Sequence, residues 1–300
     1  MSNARSARHA RLRVGGSIAA AALILFTLGA AGASASAPET QPVTVDARGI
    51  VHPHGGARPG GGGSGDPNLI WHNGAIMTSS TVTAIFWGSS WTSPGDKISG
   101  LDRFYAGVGG SAYMKTNTEY TGTNGTVGTG VTYQGHVVDT TAVPGRTPDT
   151  GAIQAEVAKM ITNPVANGYY PVYLDQPRGH AGYCAWHSYG TAHGVPVQFG
   201  FFFKLDGDAG CDPGDPGTAH SQGLEALANV SGHELSEAVT DPRNGGWWDK
   251  SGAENSDKCA WTFGGPVSLG GEQWKVQGNW SNAAYKARSG YDKAGCIQVK

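Results

Sequence analysis

The longest helical pattern in the chain runs over residues 217–240. Leu224, Leu227, Val230 or Ser231, Leu235 and Val239 recur along one flank, and Pro242 ends the run. A helix with one apolar flank must lie on another layer, and most of the remaining chain alternates strand-like and helical patterns, so a mixed α and β architecture is expected. The helix ends in "HELSEAVTDP" (233–242). His233 and Glu237, four residues apart, share a face with Cβ atoms about 5–6 Å apart, so an imidazole nitrogen and a carboxylate oxygen can reach one cation. Glu234 points about 100° further round the helix. In HExxH zinc enzymes the residue at that position takes a proton from the attacking water. Glu237 stands where such enzymes have a second histidine. A more anionic ligand set weakens zinc as a Lewis acid and suits harder ions, so Mn2+ and Ca2+ stand beside Zn2+ as candidate cofactors.

A third ligand must come from elsewhere. "GWWDKSGAENSDKCAW" (246–261) offers Asp249, Glu254 and Asp257. Glu254 is the preferred candidate, since the 17 residues after Glu237 suffice to leave the helix and return. Asp241 is expected to cap or orient the turn that follows the helix. "GYCAWHSYGTAH" (182–193) adds His187 and His193, with His180 just before. His187 is the best of these for a secondary catalytic-site role, as substrate contact, transition-state donor or replacement third ligand, because a disulfide at Cys184 would fix its loop. His220, 13 residues before His233 on the same expected helix, is about 20 Å away by helical rise and cannot share the ion.

The N-terminus speaks to the compartment. Arg5, Arg8, Arg11 and Arg13 precede the apolar run 17–33, and "ASASA" (33–37) offers small-residue cleavage positions, so 1–37 reads as a secretory signal peptide. Its loss removes four of the 21 basic residues and none of the 23 acidic ones, leaving a net charge of −6 that argues against nucleic acid or an anionic membrane as partner. Four cysteines remain, with no CxxC pair. In an exported chain they favour two disulfides, and the shortest loops give Cys184–Cys211 and Cys259–Cys296. The Pro- and Gly-rich stretch 38–67 reads as a flexible leader or short pro-segment in which His52 and His54 are solvated, leaving 68–300 as a single domain.

Within that domain "TVTAIFWG" (81–88), "GYYPVYLDQ" and "VPVQFGFFFKLD" read as strands, and 115–145 as strands with turns. "GDKISGLDRFYAGV" reads as a helix, as does "DTGAIQAEVAKMITN" with Asp149 as its cap. The tail 243–300 is Trp- and Gly-rich, with "EQWKVQGNW" a possible strand. Other chemistries find less support. No GxSxG occurs, and "GGGGSG" lacks the lysine of a phosphate loop. A carboxylate pair for glycoside hydrolysis has no spacing signature, although the tail tryptophans suit stacking on sugar rings.

"HELSEAVTDP…GWWD…GAENSDKCAW" with "VQGNWSN" resembles a group of secreted proteins with a zincin-like HExxE helix, and "WHNGAIMTSSTVTAIFWG" and "GYCAWHS" resemble the plant exordium, or phosphate-induced, proteins. The resemblance spans roughly 68–282. It implies a secreted, zincin-like α+β domain in which His233, Glu237 and Glu254 hold a metal and Glu234 is the base. The expectation is therefore a secreted, monomeric, metal-dependent hydrolase acting on protein or peptide, with cell-wall material as a further substrate or partner. Its alternative is a non-catalytic cell-surface or wall-associated binding protein with a structural metal or none.

Overall fold

The computed structural model describes residues 47–54, 67–145, 147–214 and 218–300, so the expected signal peptide lies outside the described residues. The apolar runs form a six-stranded sheet of Arg48–Val51 (β1), Ser80–Trp87 (β2), Val131–Asp139 (β3), Gly168–Pro177 (β4), Ala185–Ala192 (β5) and Val195–Lys204 (β6). Their spatial order is β1-β5-β6-β4-β2-β3. The last four neighbours run parallel, whereas β5 pairs antiparallel with β6 and with β1. β4 and β6 are buried along most of their length, the signature of strands covered on both faces; β3, at the far edge, alternates between half-buried and exposed.

Helix Lys97–Val108 (α1) connects β2 to β3, and Thr150–Met160 (α2) connects β3 to β4. Parallel strands joined through helices make this an α/β architecture with a mixed sheet, which corrects the α+β expectation. Local periodicity identifies strands and helices but not which strands pair. Asp149 caps α2 by accepting from the Ala152 amide at 2.8 Å, as its sequence position implied.

The long helix is Gln222–Thr240 (α3), capped by Ser221; His220 therefore lies before the helix, where it bonds Glu225 and Glu272. Every residue from Gly223 to Thr240 is buried. An apolar flank explains only the side toward the sheet. The irregular tail covers the polar side through bonds that only side chains can make. Asn279 Nδ2 donates to Ser236 Oγ (3.1 Å), the Gln277 amide to Asn229 Oδ1 (2.8 Å), and Ser256 Oγ to the His233 carbonyl (3.3 Å). Of "EQWKVQGNW", only Glu272–Trp274 and Asn279–Trp280 are strands. Glu272–Trp274 forms a hairpin with Val267–Leu269, across Gly270 and Gly271 at φ 59° and 88°.

Both expected disulfides are present. Cys184–Cys211 anchors the chain at the start of β5, and Cys259–Cys296 ties a 3-10 turn (Asp257–Cys259) to the C-terminal strand. They fit a chain folded in an oxidising compartment. Among the described residues no helix is long and apolar enough to cross a membrane. One segment departs from expectation: β1 lies inside the stretch read as flexible leader. Four residues are too few to show a period, yet Val51 is buried and its carbonyl accepts from the Cys184 amide at 2.6 Å.

Candidate metal centre

α3 presents His233 and Glu237 on one face, as their spacing requires; His233 Nε2 lies 3.1 Å from Glu237 Oε1. The segment returning after the helix brings Glu254 and Asp257 to the same place, fixed by Asp257 N–H donating to Glu237 Oε1 (2.8 Å) and Glu254 N–H donating to Asp257 Oδ2 (3.1 Å). The sheet adds His187, which sits in strand β5 rather than in a loop. Its Nε2 is 3.4 Å from Glu254 Oε1 and 3.8 Å from Glu237 Oε2.

These residues form two groups able to hold an ion, His187–Glu237–Glu254 and His233–Glu237–Asp257, with the ligand atoms of each within 4.8 Å of one another. The structure thus divides the expected set. Glu237 belongs to both groups, through different oxygens, while Glu254 meets His187 and not His233. Of the other candidates, Asp249 binds Lys258 (2.6 Å) and the amides of Ser251 and Ala253, and Asp241 accepts from the amides of Gly245 and Gly246 at the end of α3, as expected of a turn-former. His193 bonds the Ala158 carbonyl, and His52 and His54 bond the carbonyls of Gly182 and Asp212. His180 is exposed.

Four ligands about 2.1 Å from a tetrahedral ion lie about 3.4 Å from one another. The distances in both groups (3.4 and 3.8 Å; 3.1 and 3.6 Å) fit that edge, so distance does not choose between them. Hydrogen bonding at the far ring nitrogen of His233 bears on that choice. The Gln277 side chain is oriented by two partners: Oε1 accepts from Trp261 N–H (3.2 Å) and Nε2 donates to the Ser256 carbonyl (3.1 Å). Nε2 therefore also points a proton at His233 Nδ1, 2.5 Å away. Nδ1 must accept, so the ring proton lies on Nε2, facing Glu237 and Asp257. A metal-binding histidine shows the reverse pattern, a bare ligating nitrogen and a protonated one bonded to an acceptor.

Burial disfavours a charged His233 ring, whereas Glu237 and Asp257 favour one. These carboxylates favour a second ring proton, which the Gln277 donor opposes at Nδ1. We assign a single proton, on Nε2, because a second would set two N–H groups against each other at hydrogen-bond distance.

His233 Nε2 itself has no hydrogen-bond partner, and the His187 group carries orphaned atoms of its own. Glu237 Oε2 and Glu254 Oε2 are buried without hydrogen-bond partners. Buried polar atoms are ordinarily bonded, and an orphan Glu237 Oε2 and a Glu254 Oε1 converging on one imidazole nitrogen match an ion's donor set. Burial, then neighbouring carboxylates, raises the pKa of Glu254 well above the usual range and that of Glu237 to about 7, with His233 pulling the latter back. Glu234 shows the same upward shift from burial, with Glu237 and Asp257 adding to it; both its oxygens are buried and unbonded.

The residues that sequence reasoning missed are Gln277, whose role comes from position alone, and Gly49 of β1, whose backbone lies against His187 and Glu237. No protein-family model, curated protein or solved structure matches the chain.

Proposed function

We propose that this is an exported metal-binding protein that holds one divalent cation, Zn2+ or Mn2+, on His187, Glu237 and Glu254, with His233 as the group that orients Glu237. The observation that carries the reading is the convergence on His187 Nε2 of Glu237 Oε2 (3.8 Å), buried without a hydrogen-bond partner, and Glu254 Oε1 (3.4 Å), whose other oxygen is likewise unbonded. One imidazole with two carboxylates favours these ions over Ca2+, which prefers an all-oxygen shell. Calorimetric titration of metal-stripped protein tests it. One equivalent should bind tighter than about 1 μM. His187→Ala and Glu254→Gln should abolish that binding. Absence of binding refutes the site, and a stoichiometry of two overturns the assignment of His233.

A second reading, metal-dependent hydrolysis of a protein or peptide, is favoured by Glu234. Its carboxyl neighbours the ligand helix face with no other bond to make, so it suits a group that takes up and returns a proton at Oε1 or Oε2. The cation, when bound, would supply the Lewis acidity. In the closed arrangement Glu234, Glu237, Glu254 and His187 are all buried, so turnover requires the site to open. Glu234→Gln should then lose turnover while retaining the ion. In a wall-associated binding protein the same substitution changes nothing functional.

A further inference from the structure

We infer that β1 occupies, in cis, a groove built to receive an extended peptide, and that its displacement exposes the metal centre. The inference rests on the metal-site reading for its consequence, but its geometry stands separately. Without β1 the sheet would end at β5, the strand that carries His187. β1 lies antiparallel on that edge with Arg48 opposite His187 and Val51 opposite Ala185, the arrangement by which sheet edges take up peptide strands. The register slips between these two pairs, over the ligands, where a bulge redirects the backbone.

Gly49 sits in that slip. It is buried at φ +51°, and a Cβ there would fall 2.7 Å from His187 Nε2 and closer still to His187 Cδ2 and Glu237 Oε2. An L side chain is excluded on both counts, conformation and space. A strand serving only to extend the sheet would place a packing side chain here. This one lays bare main chain on two ligand residues. The C-terminal flank of the contact is anchored. Val51 is buried, the His52 carbonyl accepts from Trp261 Nε1 (2.7 Å), and the His54 amide donates to the Gly210 carbonyl (2.7 Å) with its ring 4.1 Å from that of Trp261. The groove therefore fits an extended peptide with glycine over the ligands, a β-branched apolar residue two positions on, and main-chain anchoring beyond.

The test uses the full chain with Gly49→Val, which displaces β1 at the contact, and Val51→Lys, which releases its anchor without touching the ligands. The probe is a fluorescein-labelled peptide of sequence ARGIVHPH (47–54), read by fluorescence polarisation, alongside the rate at which a chelator removes Zn2+. A tethered strand competes at roughly millimolar effective concentration, so both variants should bind the probe about a hundredfold more tightly than wild type and release zinc at least about tenfold faster. Hydrogen exchange on the wild-type chain should show 47–54 opening well before global unfolding. Folded variants with neither probe binding nor faster exchange overturn the inference and leave the metal reading intact. Probe binding without zinc uptake keeps the groove and removes the metal. If both variants fail to fold, or 47–54 exchanges only with global unfolding, β1 is a core strand and the inference falls.

Discussion

Glu234 is the residue whose cost to the fold follows most directly from its surroundings. It is wholly buried on α3, and neither carboxyl oxygen has a hydrogen-bond partner. A buried polar group left unbonded costs about 1–3 kcal/mol. Glu234→Met keeps an unbranched side chain of similar length and removes both oxygens, so the metal-free variant should be more stable by about 1–2 kcal/mol, allowing for imperfect packing of the thioether. For a chain of this size that corresponds to a rise in melting temperature of about 2–8 °C. Glu234→Gln preserves shape and leaves a polar group equally unbonded, so it should change stability by less than about 0.5 kcal/mol. Urea denaturation in chelator separates the outcomes, the midpoint moving at constant slope. A Met variant less stable than wild type by about 1 kcal/mol or more would refute the reasoning, because it would mean that the carboxyl makes bonds worth keeping. The expected gain would mark Glu234 as retained against stability, as groups kept for chemistry are.

Four further outcomes follow from the surroundings of the site and of α2. Replacing Cys259 and Cys296 together by serine opens a loop with a sequence separation of 37. It should cost about 4 kcal/mol by chain entropy, measured by denaturation, and weaken metal uptake because Glu254 and Asp257 ride on that segment. In 15N-labelled protein, long-range imidazole spectra should place the His233 proton on Nε2, and zinc should shift the signals of His187 while leaving the His233 tautomer unchanged; Gln277→Leu, which strips bonds from Nδ1, Trp261 N and the Ser256 carbonyl, should cost about 2–4 kcal/mol. Burial, with Asp139 adding and Lys159 opposing, raises the Glu156 pKa to about 7. The folded state thus holds this proton more tightly than the unfolded chain, and stability falls as pH rises from about 4.5 through 7. Glu156→Gln lacks the titration, so its stability relative to wild type should grow by about 2 kcal/mol between pH 5 and 8 in thermal melts; a constant difference would refute the shift.

What the sequence disclosed divides by range. The apolar flank of α3, its stop before Pro242, the Asp149 cap and the nearness of Glu254 are local facts, written in spacings of a few residues or one short return, whereas the start of α3 after His220 was not read. The disulfide pairing was legible because loop length orders the alternatives. The parallel order of the sheet was not, since pairing leaves no period. His187 was singled out from the cysteine beside it, but its place in a strand, in the register that sets it opposite Gly200 and Arg48, was not legible. The instructive case is His233 with Glu237. Four residues along a helix bring a nitrogen and an oxygen together, and that geometry serves an N–H···O pair as readily as two lone pairs on one ion. What distinguishes them is the group behind the imidazole, here Gln277, 44 residues away and oriented in turn by Trp261 and Ser256. The motif locates the candidate site, and the donor at the ring's far nitrogen is what supports the proposal that His233 carries a proton beside Glu237 while the histidine delivered by the sheet holds the cation.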